Sequence, residues 1–480
     1  MAGYAEPLSN LEPQIGMLTR ANGRRWTAVR GWSIARRFLF VLGVIYIAKQ
    51  LIYLLVFPPF TGHDEVAHYS YIRSVAEDGR IPVLLEDYLP AELAGYCDRA
   101  LGWCGRPIDR GPQYAANHPP LYYVLLTPAY WWSDGWTPEE QQYLFRVMAI
   151  PFGLATVVLA YLLARTLFPT DQFLAITVPA FVAFQPQVSY EAAIVNNDIV
   201  GVAFYSLILL LLVIGLRDRF PTRNCLLIGF TLGLALLSKG TALTALPLIG
   251  LALAVSLPRP WLMPRLWLRK LSLIGIPTLL LTVPWYVFLY RTYGNFSGLD
   301  QVEELQQMFN HPEGNFFELL FSQDFITSRF HETWGLFGWR LIPLSTTTLW
   351  VIAVPLIVAF GGLIQYTVLI FRRAERDKAS GDPVFLLRYW QARALLLVFA
   401  ACAIGYLAVV QFGTRFQLTQ ARYYFPVINA GALLTMLGAR TLIPRRFFGY
   451  AQAAIFGSLV MLTIAIFSQF VIPFWHPPVA

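Results

Sequence analysis

The run IVGVAFYSLILLLLVIGL, Ile199–Leu216, carries no charged side chain and is followed directly by Arg217, Arg219 and Arg223. Its length is close to the ~20 residues that take an α-helix across a hydrocarbon core. Phe38–Phe57, Leu144–Leu167 and Leu271–Tyr290 are blocks of the same kind. Lipid offers the backbone no hydrogen-bond partner, so such blocks span as helices rather than as open strands.

Composition agrees with this reading. Of 480 residues, 56% are hydrophobic and 13% are charged, where a soluble domain carries about 25% charge. The expected fold is an all-α polytopic membrane protein whose bundle crosses the bilayer about eleven times. The predicted spans are Phe38–Phe57, Gln142–Phe168, Phe173–Tyr190, Ile199–Leu216, Cys225–Leu237, Thr241–Leu257, Leu271–Tyr290, Ser345–Phe371, Ala392–Gln411, Arg422–Leu437 and Tyr450–Ile472. The first run is too long for the apolar core of a signal peptide and is read as a retained span.

The formal charge of +8 comes from 36 basic and 28 acidic residues. The basic residues cluster between alternate apolar blocks, which is the positive-inside pattern. This accounts for the charge without a nucleic-acid partner. It places residues 1–37 in the cytoplasm, segments 58–142 and 291–344 outside the cell membrane, and the tail 473–480 outside as well. The domain 38–472 is then one transmembrane unit. Within the first external segment, His63–Asp78 predicts an amphipathic helix. Pro119–Trp132 is too short to span and predicts an interfacial one. Cys225 and Cys402 read as small core residues, whereas Cys97 and Cys104 share an external loop as a disulfide or as two thiols.

Unusual polar residues gather on the outer side. Asp64-Glu65 follows the first span, and a carboxylate beside apolar wall is a candidate general base. His68 lies one helical turn from Asp64. The same pair also suits a helix N-cap with an acidic first turn. Asn196-Asn197-Asp198 opens the fourth span, again as cap or as site. Lys239, at the tip of a tight hairpin, either snorkels to headgroups or binds a lipid phosphate. Arg415 and Arg422 stand outside against the positive-inside trend, and arginine pairs phosphate bidentately. His118, His331 and Trp334 complete a polar and aromatic patch.

These residues fall into an ordered set: Gly62-His63-Asp64-Glu65-Val66-Ala67-His68-Tyr69, His118-Pro119-Pro120-Leu121-Tyr122-Tyr123, Val195-Asn196-Asn197-Asp198, Leu237-Ser238-Lys239-Gly240-Thr241 and Arg422-Tyr423-Tyr424-Phe425-Pro426. The set resembles the GT-C superfamily of membrane glycosyltransferases over about residues 35–440. It resembles in particular a bacterial branch near the protein mannosyltransferase-like and aminoarabinose transferase-like enzymes. The resemblance implies a GT-C-like bundle with membrane-parallel helices in the first external loop. It implies a polyprenyl-phosphate sugar donor and inverting transfer, on the outer face, to a lipid, glycan or protein hydroxyl whose identity stays open. Asp64 would be the general base and Glu65 would orient the acceptor. Lys239, Arg422 and Arg415 would hold the donor phosphate. His68, His118, Asn197, Asp198, His331 and Trp334 would contact substrate. No cofactor is expected, although some members use a divalent metal that Asp64, Glu65 and His68 could ligate.

Two other functions remain open at this point. An O-antigen-type ligase or polymerase would rely on external arginines and a histidine and would tolerate loss of the Asp64 charge. A transporter or flippase of an anionic lipid-linked substrate would place ionisable groups deep in its helices, where this chain has few.

Overall fold

The computed structural model describes residues 12–93, 95–96, 111–307, 314–338, 340–376, 382, 384–416 and 420–476, without the side chains of 12–33, 305–307 and 373–376. Cys97, Cys104, Trp339 and Lys378 lie outside the described residues. The chain begins with α1 (Glu12–Val56), followed by the short α2 (Glu65–Arg73) and α3 (Leu121–Trp132). The bundle continues with α4 (Pro138–Leu167), α5 (Gln172–Phe184), α6 (Pro186–Glu191), α7 (Asp198–Asp218), α8 (Thr222–Leu236), α9 (Ala245–Ser256) and α10 (Pro264–Tyr293). After α10 come α11 (Leu299–Gln307), α12 (Phe316–Phe321), α13 (Gln323–Trp334) and a minimal antiparallel pair, β1 (Leu336–Phe337) against β2 (Ile342–Pro343). The last helices are α14 (Thr346–Arg376), α15 (Tyr389–Gly413), α16 (Ile428–Leu442), α17 (Phe448–Ile466) and α18 (Ile472–Trp475).

The protein is thus an all-helical polytopic membrane protein. Among the described residues, eight helical stretches are long and apolar enough to cross a membrane. Three shorter apolar helices, Gln172–Phe184, Thr222–Leu236 and Gly240–Ser256, coincide with the third, fifth and sixth segments read from the sequence.

Local chemistry explains the boundaries. Thr137 and Glu140 form a capping box: the Glu140 N–H donates to Thr137 Oγ1 (3.3 Å) and the Thr137 N–H to Glu140 Oε2 (2.9 Å). Pro138 then opens α4 at the position where a missing N–H costs nothing. The expected single span Phe173–Tyr190 is instead two helices, α5 and α6. Pro186 cannot donate to the helix and forces Gln185 into an extended conformation (φ −62°, ψ 119°). The Gln185 side chain recaps the new helix by accepting from the Val188 N–H at 2.5 Å. The expected amphipathic helix His63–Asp78 is present from Glu65 to Asp78, but most of it is buried. α2 gives way to one π turn at Ser74–Asp78, and Glu65 through Ile72 are all buried. α2 is therefore an internal element beneath α3, not a surface helix.

Packing between spans relies on small residues, as in membrane bundles generally. A Cβ on Gly438 of α16 would lie 1.9 Å from the Ala359 carbonyl oxygen of α14, so these backbones touch only because that position has no side chain. At the end of the bundle where α4 finishes, Arg440 donates to Asp171 (2.5 Å) and pairs with Asp382 (3.1 Å), which also takes Arg445 (2.8 Å). Two charges run against the expectation of ionisable groups only at helix ends. Arg146 is fully buried in α4. Lys49, in the first span, donates to Ser189 Oγ at 2.5 Å and lies 4.9 Å from the ring centroids of Tyr46 and Tyr53.

Candidate functional site

The site forms at the other end, where α1 finishes and α4 and α7 begin. After α1 the chain turns sharply, and Asp64 adopts the left-handed conformation (φ 59°, ψ 12°) just before α2. Aspartate tolerates this region better than most residues. Asp64 holds the N-cap position, yet its side chain makes no capping bond. The carboxylate turns toward the bundle instead, and Arg422 Nη2 donates to Asp64 Oδ2 at 2.5 Å.

Glu65 points the opposite way. Arg146 grips it with Nε to Oε1 at 2.8 Å and Nη2 to Oε2 at 2.6 Å. The Gly62 and Val195 N–H groups add one bond each at 2.8 Å. Arg146 also donates to the carbonyls of Leu54 (3.1 Å), Phe57 (2.5 Å) and Pro58 (2.9 Å), which are the orphan acceptors at the end of α1. Both side chains are wholly buried, and each satisfies the other.

From Asp64 the charges alternate inward. Arg422 Nη1 lies 3.3 Å from Asp198 Oδ2, and Lys239 Nζ lies 3.1 Å from Asp198 Oδ1. Lys239 also donates to Asn197 Oδ1 at 2.8 Å, and Asn197 Nδ2 donates to the Ser238 carbonyl at 2.9 Å. Asn196 provides the helix cap: its Oδ1 accepts from the Asp198 N–H at 2.8 Å, which leaves the Asp198 carboxylate for the cations. Arg422 is carried by a 3₁₀ turn, Ala421–Val427, and Lys239 by extended backbone before the turn Gly240–Thr244. A Cβ on Gly201 would stand 3.0 Å from the Lys239 Cβ, so the glycine in α7 makes room for the lysine stem. Lys239 is 6% exposed and does not snorkel.

Three histidines surround this ladder. His68 Nδ1 meets the Tyr123 hydroxyl at 2.9 Å, and His118 Nδ1 meets the same hydroxyl at 3.3 Å. His63 Nδ1 lies 3.7 Å from Glu191 Oε1. Burial pushes all three imidazoles well below their usual range, and the neighbouring Arg422 reinforces the shift. Burial likewise pushes Glu191 up to about 8, against the pull of Arg422. Glu332 is raised for the same reason. It accepts from Arg329 Nη2 (3.1 Å) and the Ala421 N–H (2.9 Å) and pairs with Arg340 (2.8 Å), and so ties α13 to the turn that carries Arg422.

The sequence candidates therefore separate. Asp64, Asp198, Asn197, Lys239 and Arg422 form one hydrogen-bonded and ion-paired network, with His68 and His118 joined beside it through Tyr123. Arg415 is not tied into that network: its guanidinium pairs with Glu303 (2.9 Å) and Asp300 (3.8 Å) on α11. Trp334 is buried edge-on against Phe181, and His331 sits in the last turn of α13, where its carbonyl accepts from the Gly335 N–H. Among the described residues no group of three or more His, Cys, Asp or Glu side chains is placed to hold a metal ion. Asp64, Glu65 and His68 do not fit as a ligand set, since Glu65 is committed to Arg146 and His68 Nδ1 to Tyr123.

Sequence reasoning missed Arg146, Glu191 and Glu332. Arg146 had a signal: it is an arginine set within the apolar run Leu144–Ile150.

Residues 139–290 match the family described as dolichyl-phosphate-mannose-protein mannosyltransferase. The matched stretch runs from α4 through α10 and includes Asn197, Asp198 and Lys239. It is similar to the archaeal oligosaccharyltransferase AglB from Archaeoglobus fulgidus, solved with an inhibitory peptide and a dolichol-phosphate, at 13% identity over 89% of this chain and 55% of that one, with a TM-score of 0.47. It is also similar to ArnT from Cupriavidus metallidurans bound to undecaprenyl phosphate, at 17% identity over 86% of this chain and 78% of that one, with a TM-score of 0.38. The chain spans about half the length of the archaeal enzyme. No curated protein matches it by sequence.

Proposed function

We propose that this protein transfers a sugar from a polyprenyl-phosphate carrier to a hydroxyl acceptor, with inversion and on the extracytoplasmic face of the cell membrane, its N-terminus being cytoplasmic. The observation that carries this reading is Arg422 held between Asp64 and Asp198, with Lys239 on the far side of Asp198. A candidate base and two cations for a leaving phosphate thus stand within one connected group. The family match over 139–290 supports a donor in which a polyprenyl phosphate carries the sugar.

In the proposed reaction the acceptor oxygen attacks the anomeric carbon while the bond from that carbon to the phosphate oxygen breaks. The bonding electrons leave with the lipid phosphate, and the acceptor proton passes to Asp64. Arg422 and Lys239 stabilise the charge that grows on the departing oxygen, which is where preorganised cations act most strongly. Asp64 is paired with Arg422 at rest. A donor phosphate competes for the same guanidinium and releases Asp64 from its counter-ion. The donor thereby frees the carboxylate to face the acceptor. Glu65 acts as a positioning residue through Arg146, and Asn197 holds Lys239. The roles of His68 and His118 are contacts to substrate made as neutral rings. Arg415, His331 and Trp334 stand apart from this group and are given no role in the step. Membrane lipids solvate the rest, and the acceptor is not specified by the site.

The test is transfer of label from polyprenyl-phosphate sugars into membrane extract, with wild type and Asp64→Asn compared as folded proteins. Transfer that disappears in the variant while donor still binds supports the reading. Transfer that survives Asp64→Asn removes Asp64 as base.

A further inference from the structure

Beside the ladder lies a narrow pocket between α6, α13 and the turn that carries Arg422. Its polar lining is His63, Gln187, Glu191, Glu332, Arg340, Gln420 and Arg422. Two of these groups have unfilled hydrogen-bonding capacity at full burial. Asn196 Nδ2 holds Glu191 Oε2 at 3.0 Å, but Glu191 Oε1 accepts no hydrogen bond among the described residues, and Glu191 is 1% exposed. Arg422 Nε donates none, and Arg422 is 6% exposed. A buried acceptor without a donor and a buried donor without an acceptor are each costly.

We infer that this pocket receives one uncharged hydroxyl or hydroxymethyl group of the donor sugar, and that Glu191 is the residue that selects for it. The inference rests on the transfer reading above. A hydroxyl is the simplest group that answers both vacancies, since it donates to Glu191 Oε1 and accepts from Arg422 Nε at once. The pocket shares Arg422 with the proposed phosphate site, and the group attached directly to that phosphate is the donor's own sugar. Charge narrows the choice further. An amino sugar would set a cation against Arg422 and Arg340, and a uronic acid would bring a carboxylate that has no proton to donate to Glu191 Oε1. The space is narrow, which suits one substituent of a ring rather than a second ring.

The experiment uses the full-length protein with polyprenyl-phosphate mannose and the congeners that lack one hydroxyl each. Transfer and direct binding are measured for wild type, Glu191→Gln and Glu191→Ala. A site built around a hydroxyl rejects the analogue lacking it by a large factor, so wild type is expected to disfavour one congener by about 10²-fold or more in kcat/KM. Glu191→Ala should erase that preference by slowing the parent and not the congener, and Glu191→Gln should keep part of it. A preference unchanged in Glu191→Ala, or an equal loss for every congener, overturns the inference and leaves the pocket as a site for water. If no donor is transferred, the same comparison in binding still decides: hydroxyl-selective binding lost in Glu191→Ala sustains the pocket while the transfer reading falls, and indifferent binding removes the pocket.

Discussion

Arg146 and Glu65 form a two-point ion pair with no solvent exposure on either partner, and the same guanidinium closes the end of α1. Removing one member strands a buried charge, which typically costs about 3–5 kcal/mol. Arg146→Met and Glu65→Ala should each lower unfolding stability in detergent by that order. The double variant should lose clearly less than the sum, because no charge is left stranded. Additive losses would show that the two residues act independently.

Asp64→Asn keeps the shape of the turn and removes the charge. General-base loss should reduce turnover by about 10²–10⁴-fold. Donor binding should hold or tighten, because Arg422 then answers to one carboxylate, Asp198, instead of two. Isothermal titration with polyprenyl phosphate checks this, and weaker binding in the variant would count against competition for Arg422.

Arg422→Lys tests geometry rather than charge. Lysine is a point charge and cannot reach Asp64 and Asp198 with separate nitrogens as the guanidinium does. The expected result is a fall in kcat for the variant despite its retained charge. Full activity would mean that only the sign of the charge matters. Arg440→Ala, which breaks the cluster with Asp171 and Asp382 at the other end, should lower stability and leave KM for donor unchanged.

Stability should depend on pH in a defined direction. Glu191 is faced by His63, Asp198, Lys239, Arg422 and Asp64, and burial lifts it from 4.5 to about 8. Between those values the folded protein keeps a proton that the unfolded chain has released, so stability falls as pH rises through the window. The buried histidines act on the acid side. Below about pH 6.5 the unfolded chain takes up protons that His63, His68 and His118 refuse, and stability falls again. Thermal unfolding from about pH 5 to about pH 9 should therefore show a maximum, with a flatter alkaline limb in Glu191→Gln. A Gln variant that superimposes on wild type would mean that Glu191 is ionised when folded.

Much of the fold is legible because spanning length and charge-free composition are properties of single segments. The breaks are less so. Phe173–Tyr190 reads as one apolar block until Gln185-Pro186 is weighed as a helix stop and a new start. Asp64 and Glu65 look alike in the sequence, and only the left-handed turn sends their carboxylates in opposite directions. The pairing of Asp64 with Arg422 joins residues from near the two ends of the bundle, and no local pattern encodes it. Glu332 is hidden for a similar reason, since its partners Arg329 and Arg340 are close in sequence while the Ala421 N–H it fixes is remote. Arg415 and Arg422 share a loop and a charge, yet α11 supplies Glu303 to the first and the ladder claims the second.

Asp64 and Asp198 carry two negative charges, and Lys239 and Arg422 carry two positive ones. At rest these four charges sum to zero. A phosphate ion in bulk solution has no electrostatic reason to collect there, since steering needs an unbalanced charge. A phosphate tethered to a lipid arrives by a different route: confinement to the bilayer keeps its local concentration high without attraction. Neutrality at rest therefore acts as a filter, in which anchorage to the membrane rather than charge admits the substrate.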